Sequence, residues 1–167
     1  MSDRLGAARR SLHRLLLAIY GRLPERLRLV VVHTVAPGYS VGTVPIIRRA
    51  DGSVLLVRHT YKANWGAPGG LLGRREAPAD GAVREVLEEA GLEVELIGEP
   101  AVVVDPIARR VDVVFEAQPV AGADPDSARP SSVEIAEVRW FAPDALPTVQ
   151  REVADALDAL VRQAARP

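Results

Sequence analysis

The sequence REVLEEAGL, residues 84–92, places three glutamates on one predicted helix and then a glycine where that helix is expected to end. Glu85 precedes Glu88 and Glu89 by three and four residues, so the three carboxylates share one face of the helix. Like charges at this spacing repel each other and cost about a few tenths of a kcal/mol per pair. This cost predicts that a positive group lies among the carboxylates.

The bounds of this helix follow from residues on either side of the glutamates. Pro78 suits the first turn, where proline costs no hydrogen bond, and Asp80 suits the positive end of the helix dipole. Gly91 is well placed to end the helix in a left-handed conformation. Four apolar residues form one stripe that predicts docking on a sheet, with the glutamates largely off it: Val83, Val86, Leu87 and Ala90.

A divalent cation is the positive group that this pattern favours. Mg²⁺ prefers hard oxygen ligands and is usually held by a few carboxylates together with waters and substrate phosphates. Just before the helix, GGLLGRRE, residues 69–76, supplies a glycine-rich turn whose backbone can closely approach a metal or a phosphate. The sequence contains neither a glycine-lysine-serine/threonine phosphate loop nor a dinucleotide fingerprint after a strand, so nucleotide-fold ATPases and dehydrogenases are unsupported.

Two residues upstream of the helix give the segment a family resemblance. Gly70 is followed after five residues by Glu76, and after seven more by residues 84–92. This spacing resembles the Nudix box, G-x5-E-x7-R-E-U-x-E-E-x-G-U with U aliphatic, and all nine defined positions match. The resemblance covers the box tightly and the strand pattern of residues 40–141 loosely. The first 38 residues lie outside it.

By this resemblance we expect a Nudix-type diphosphatase, or pyrophosphohydrolase, that depends on Mg²⁺ or Mn²⁺. Such an enzyme cleaves the pyrophosphate linkage of a nucleoside diphosphate joined to another moiety, or of a nucleoside triphosphate, by water attack on phosphorus. ADP-ribose-like compounds and nucleotide sugars belong to the first class. The resemblance implies four metal ligands: the Gly70 carbonyl, Glu85, Glu88 and Glu89.

The supporting and proton-accepting residues are also inferred from the resemblance. Glu76 and Arg84 are expected to support the geometry of loop and helix by pairing with each other. The general base stays open, because members of the family draw it from different places. Glu85 is one candidate, and the other is an acidic residue before the last strand, Glu134 or, less favoured, Glu137.

The segment before Gly70 holds the candidate substrate-binding residues. Trp65, with Tyr61 and Lys62 nearby, suits a rim that stacks on a base or contacts a phosphate. Trp65 is equally consistent with a residue that covers the core at the start of a strand. Arg58 ends a strand near the expected cleft and is a candidate phosphate contact.

The strand and helix pattern predicts an α/β (α+β) fold, a Nudix-like α/β/α sandwich with a mixed sheet. A hairpin is predicted at ADG, residues 50–52, and a C-terminal helix at residues 146–165. Four further strands are predicted at residues 93–98, 101–105, 109–117 and 137–141. We expect residues 39–167 to form this domain and residues 1–38 to form an N-terminal helical extension.

The N-terminal extension is basic and amphipathic. Its first 28 residues contain seven arginines against two acids, and apolar residues recur at three- and four-residue steps. We expect this helix to pack on the domain or on a second copy in a homodimer, and adhesion to an anionic membrane surface is the alternative. The uninterrupted apolar run of residues 15–20 is too short for a membrane span, so a cytoplasmic location is expected by default.

Overall composition narrows the class of function. The net charge of −1 predicts no stable binding of nucleic acid, so the expected partner is a small nucleotide-diphosphate substrate. The absence of cysteine excludes thiolate zinc sites and the diphosphate-isomerase branch of the superfamily, which uses a catalytic cysteine. An alternative from another class is a nucleotide-sensing module that hydrolyses weakly and dimerises or signals through its N-terminal helices.

Overall fold

The computed structural model describes residue 14, residues 16–36 and residues 38–165. The chain divides into two compact units, Met1–Gly38 and Tyr39–Pro167. In the first unit, residues 16–22 are helical and helix α1 spans Glu25–Val35. The rest of the predicted N-terminal helix lies outside the described residues. No helix in the described part of the chain is long and apolar enough to cross a membrane.

The second unit contains two sheets and two long helices. One sheet has four strands in the order β3-β1-β5-β4, and β2 pairs with β6 in a separate ribbon. Strands β1 and β5 run parallel while the other pairs are antiparallel, so the sheet is mixed as predicted. The elements are β1 (Ser40–Ile47), β2 (Val54–His59), β3 (Gly70–Leu71), α2 (Pro78–Ala90), β4 (Val94–Asp105), β5 (Arg110–Pro119), β6 (Ile135–Phe141) and α3 (Arg151–Ala164).

Helices α2 and α3 cover opposite faces of the four-stranded sheet. Ile46 and Ile47 are successive residues of β1, so their side chains point to opposite faces. Ile46 packs in one buried cluster with Val153 of α3, and Ile47 packs in another with Val86 of α2. The predicted α/β/α sandwich is therefore confirmed.

The bounds predicted for α2 are confirmed, whereas its buried face is only partly as predicted. The helix begins at Pro78, and Gly91 follows its last turn with φ 63°. Leu87, assigned above to the apolar stripe, is 48% exposed, while Glu89 is 8% exposed. The face of α2 that meets the sheet is therefore rotated toward Glu89, and one member of the acidic cluster is buried.

Two other predicted features are only partly as predicted. The hairpin turn at residues 50–52 is present: the Arg49 N–H donates to the Ser53 carbonyl at 3.1 Å, and Arg48 forms an antiparallel bridge with Val54. Beyond this turn, β1 and β2 enter different sheets. The segment predicted as two strands, residues 93–98 and 101–105, is the single strand β4. Its register with β5 shifts between Ile97 and Ala101, where Gly98 has φ 65°.

The C-terminal helix begins later than predicted. Residues 146–150 were assigned to it, yet α3 begins at Arg151. The backbone before the helix pairs with the loop at Trp65 instead: the Trp65 N–H donates to the Thr148 carbonyl at 3.2 Å, and the Gln150 N–H donates to the Trp65 carbonyl at 2.7 Å. This pairing holds residues 148–150 extended and anchors the loop that precedes β3.

Candidate active site

A cleft of about 580 Å³ lies where the end of β2, strand β3 and the first turn of α3 meet the acidic face of α2. The cleft gathers residues that are far apart in the sequence, from the end of β2 to the start of α3. Its lining includes seven of the residues singled out in the sequence: Tyr61, Lys62, Gly70, Glu85, Glu88, Glu89 and Glu134.

Arg84 is the positive group that lies among the glutamates in this structure. Its Nη1 is 2.9 Å from Glu85 Oε1 and 2.9 Å from Glu88 Oε2. The guanidinium therefore offsets much of the like-charge repulsion along this face of α2. Within the described ranges, no three His, Asp or Glu side chains are already grouped as a metal ion requires. This agrees with the orientations of Glu85 and Glu88, which both point to Arg84.

Glu76 and Arg84 form a two-bond ion pair across the loop before α2. Arg84 Nε donates to Glu76 Oε1 at 2.6 Å, and Nη2 donates to Oε2 at 3.0 Å. The Gly73 N–H donates to the same Oε2 at 2.6 Å. The hydrogen bonds from Arg84 and Gly73 lower the pKa of Glu76 to about 2, and the pair raises the pKa of Arg84. The glycine-rich loop is thus tied to the second turn of the helix.

Glu89 is the buried carboxylate of the cleft. Its Oε2 accepts a hydrogen bond from the Gly69 N–H at 3.1 Å. Burial raises the pKa of Glu89 to about 7, the negative charges of Glu85 and Glu134 add to this, and the Gly69 hydrogen bond opposes it. A carboxylate in this position needs a cation nearby to stay ionised at low energetic cost.

His59 lies next to Glu89 at the end of β2. Its Nε2 is 3.8 Å from Glu89 Oε1, which is beyond hydrogen-bonding distance. The imidazole is buried, and its Nδ1 has no hydrogen-bond partner among the described residues. Burial lowers the pKa of His59, which favours the neutral imidazole.

Two glycines permit the close approach of the loop to α2 and to β1. A Cβ on Gly70 would stand 2.7 Å from Glu85 Oε1, so only glycine fits beside this carboxylate without displacing it. Gly69 has φ 143°, and a Cβ there would stand 2.3 Å from the Thr43 carbonyl oxygen of β1. Gly70 thus lets the loop backbone lie against the acidic face of the helix, and Gly69 lets it lie against β1.

The candidate substrate residues are divided between the cleft and the neighbouring β2–β6 ribbon. Lys62 lines the cleft, where its Nζ donates to Gln150 Oε1 at 2.7 Å. Arg58 instead pairs across the ribbon with Glu137, Nη2 to Oε2 at 2.7 Å. Trp65 packs edge-on against Phe141 with ring centroids 4.8 Å apart, beside the core. Neither Arg58 nor Trp65 is among the residues that line the cleft, and their contact with substrate stays a prediction.

The base candidates before β6 occupy different environments. Glu134 lines the cleft, and its carbonyl accepts a hydrogen bond from the Thr60 N–H at 2.8 Å, which holds the loop against the end of β2. Glu137 is paired with Arg58 and Arg139 in the ribbon, and hydrogen bonding from Arg58 lowers its pKa. The positions thus favour Glu134 over Glu137 as a group that meets substrate.

Comparison with known proteins identifies the family to which this site belongs. The NUDIX domain matches residues 37–163, which is most of the chain. The chain belongs to the NUDIX family. The predicted Nudix hydrolase is thereby confirmed, as is its enzyme class, a Nudix-type diphosphatase.

Individual relatives agree with this membership. The chain is 32% identical over 130 residues to a MutT-like protein of Streptomyces ambofaciens, covering 75% of this chain and 81% of that protein. It is 28% identical over 109 residues to a putative 8-oxo-dGTP diphosphatase of Bacillus subtilis (strain 168), covering 65% and 70%. The crystal structure of a Nudix hydrolase from Nitrosomonas europaea superposes with a TM-score of 0.65 at 28% identity, covering 78% of this chain and 76% of that one.

The Nudix family is typically dependent on a divalent metal, and the residues present fit such an ion. The cleft offers hard oxygen donors, the type that Mg²⁺ and Mn²⁺ prefer, from three box glutamates, and Gly70 lines it beside them. The pKa of the buried Glu89 carboxyl stays at about 7 although the charge of Lys62 lowers it, so a metal ion beside this carboxyl would favour its ionised form. Because residue 70 is a glycine, the Glu85 carboxylate lies directly against the loop backbone. Groups that bind the same metal ion must lie this close together.

The lining of the cleft also includes polar residues to which the sequence pattern assigns no role. They are His59, Arg110, Ser132, Gln150 and Glu152. His59 and Gln150 carry no recognisable spacing, and only the fold brings them to the box. Arg110 does carry a sequence signal: it alternates with Asp112 at the start of β5, which places an arginine and an aspartate on the same face of the strand.

Proposed function

We propose that this Nudix domain hydrolyses the pyrophosphate linkage of a nucleotide in the presence of Mg²⁺ or Mn²⁺, by water attack on phosphorus. The observation that carries the proposal is the convergence of Glu85, Glu88, Glu89 and the Gly70 backbone on one cleft. The same cleft contains Lys62, a cation suited to a phosphate. Its volume of about 580 Å³ suits one nucleotide.

The three glutamates and the Gly70 carbonyl would hold the metal ions. When bound, these ions neutralise pyrophosphate charge and lower the pKa of a bound water. Arg84 keeps Glu85 and Glu88 on the cleft side of α2, and Glu76 keeps Arg84 in place. Gly69 fixes Glu89 through its N–H. The protein thus holds these side chains along one cleft, and Glu85 and Glu88 would turn from Arg84 to the metal when it binds. Positioning with charge stabilisation would then supply most of the rate.

For the general base, Glu134 is the stronger of the two candidates. It lines the cleft on a loop that is fixed to β2, and its charge reaches Glu89. Glu85 also lines the cleft, yet its carboxylate is engaged by Arg84 and is needed as a metal ligand. The role of Glu134 predicts that Glu134→Gln lowers kcat while leaving the affinity for metal unchanged.

Among substrate classes, a nucleoside triphosphate is the first to test. The name of one relative, a putative 8-oxo-dGTP diphosphatase, favours this class. Nucleoside diphosphates joined to another moiety, ADP-ribose-like or nucleotide sugars, are the second class. Both classes present a pyrophosphate linkage to the same set of carboxylates.

A substrate panel tests the proposal. The full chain is incubated with Mg²⁺ or Mn²⁺ and with dGTP, 8-oxo-dGTP, ADP-ribose or a UDP-sugar, and the products are separated by ion-exchange chromatography. We expect cleavage of at least one of them to a nucleoside monophosphate, abolished by EDTA. Binding of nucleotide without cleavage would contradict the proposal and favour the sensing module.

A further inference from the structure

Asp112 is a charged residue on the buried face of the four-stranded sheet. It is 7% exposed, and it lies on the same face of β5 as Val114, which belongs to the core beneath α3. A buried carboxylate is costly unless a cation and hydrogen bonds compensate it. The burial of Asp112 therefore calls for a partner.

Arg110 is that partner, and it also lines the cleft. Its Nε donates to Asp112 Oδ1 at 2.7 Å, and its side chain is 30% exposed. Arginine carries five N–H donors, of which this contact uses one. No other hydrogen bond of the guanidinium occurs within the described part of the chain, so Nη1 and Nη2 retain donors for a ligand.

Gly42 supplies the space for this pair. It is the register partner of Asp112 in β1, and a Cβ on it would stand 2.7 Å from Asp112 Oδ1 and 2.8 Å from Arg110 Nη2. The same point is 3.0 Å from the Gly70 carbonyl oxygen. The guanidinium therefore borders the same small space as the backbone group expected to face the metal.

We propose that Arg110 binds a phosphate of the substrate and that Asp112 is the positioning residue that holds its guanidinium. The proposal rests on the proposed function, because it assigns a contact within the same site. The acidic wall of the cleft repels a polyphosphate wherever metal does not intervene. A guanidinium fork next to that wall binds phosphate in a bidentate manner, and a buried carboxylate behind it fixes its direction.

The first experiment removes the cation. Arg110→Gln, Arg110→Lys and a control, Arg109→Gln, are compared with the wild type in the full chain. Arg109 is the adjacent arginine, which is exposed and does not line the cleft. Its variant therefore removes the same charge from the protein without changing the cleft. The probe is α,β-imido-dGTP with Mg²⁺, titrated by calorimetry, and KM and kcat are measured for the best substrate of the panel.

For Arg110→Gln we expect Kd and KM to rise about 10- to 100-fold, as for loss of a charged hydrogen bond. The Kd and KM of Arg110→Lys should lie between those of Arg110→Gln and the wild type, because lysine keeps the charge but lacks the planar guanidinium. The Kd and KM of Arg109→Gln should stay within about twofold of the wild-type values, as expected for a substitution at an exposed residue. Equal Kd values for the wild type and Arg110→Gln would overturn the proposal.

The second experiment tests whether Asp112 acts through Arg110. Asp112→Asn should raise Kd, and Arg110→Gln/Asp112→Asn should bind no worse than Arg110→Gln alone. The double variant also leaves no unpaired buried charge, so it remains testable where Arg110→Gln is poorly folded. A fall in melting temperature without any change in Kd or KM, or additive losses in the double variant, would overturn the role given to Asp112.

The two proposals fail in distinguishable ways. If the wild type binds the imido nucleotide through Arg110 but cleaves nothing in the panel, the hydrolysis proposal fails and the Arg110 contact stands. If the wild type cleaves a substrate and Arg110→Gln matches it in Kd and KM, the contact fails and the hydrolysis proposal stands.

Discussion

Arg84 and Glu76 are joined by two hydrogen bonds of 2.6 and 3.0 Å, which link the glycine-rich loop to helix α2. With its Nε and Nη2 committed to Glu76, the guanidinium presents Nη1 to both Glu85 and Glu88. The acidic face of the helix is therefore organised by its own arginine before any ion binds. In this arrangement Glu76 acts on the predicted metal ligands indirectly, through Arg84.

Glu76→Gln should weaken this support without removing a predicted metal ligand. A neutral amide cannot keep the charged two-bond pair, so Arg84 becomes free to leave Glu85 and Glu88. We expect metal affinity or kcat to fall about 10- to 100-fold, the usual effect of a residue that orients a ligand. Mg²⁺ titration and steady-state kinetics would measure it, with the exposed Glu93→Gln as control. Wild-type values for Glu76→Gln would show that the pair is dispensable.

The same pair predicts a particular pH dependence of stability. The pKa of Glu76 is depressed in the folded protein from 4.5 to about 2. The ionised Glu76 therefore contributes its full stabilisation above pH 4.5, and this stabilisation is lost as the pH falls from 4.5 to about 2. The difference in melting temperature between wild type and Glu76→Gln should shrink over this interval. A difference that stays constant down to about pH 2 would argue against the linkage.

Divalent metal should stabilise the fold through the three glutamates. An ion that binds only the folded protein adds about 2.7 kcal/mol of stability at 100 times its Kd. We expect Mg²⁺ or Mn²⁺ to raise the melting temperature of the wild type. The increment should be smaller in Glu85→Gln, Glu88→Gln or Glu89→Gln and unchanged in Glu93→Gln. An increment that survives all three cleft substitutions would place the ion elsewhere.

Gly69→Ala and Gly70→Ala should separate stability from activity. In Gly70→Ala the new Cβ meets the end of the flexible Glu85 side chain at 2.7 Å, so the carboxylate moves and kcat falls with little change in melting temperature. In Gly69→Ala the Cβ meets the Thr43 backbone at 2.3 Å, at a φ of 143°. We expect this variant to lose about 1–3 kcal/mol or more of stability. Thermal melts and kinetics on both variants check the contrast, and identical profiles would contradict it.

The part of the site that could be predicted from the sequence lies on one continuous segment. Residues 69–92 contain the short strand β3, a turn and helix α2. Spacing within the helix is fixed locally, so the positions of Glu85 and Glu88 on one face follow from helical geometry alone. The helix also begins at Pro78 and ends before Gly91 as predicted, because proline and glycine have specific backbone requirements at these positions.

The rest of the site depends on pairings that no local pattern reveals. Arg110 reaches the cleft because β5 pairs in parallel with β1, where Ser40 is its register partner. Gln150 reaches it because the chain before α3 pairs with the backbone of Trp65. The rotation of α2 that buries Glu89 in place of Leu87 is set by packing on the sheet, which apolar periodicity does not resolve to one residue.

The central claim, that the box carboxylates support hydrolysis of a nucleotide pyrophosphate linkage, is tested most directly by kcat of Glu89→Gln. Glutamine keeps the size of the side chain and an acceptor for the Gly69 N–H, so the variant should fold. With Mg²⁺ and the best substrate of the panel, we predict that kcat falls by about 1,000-fold while the substrate still binds. A Glu89→Gln protein that turns over at the wild-type rate would contradict the claim.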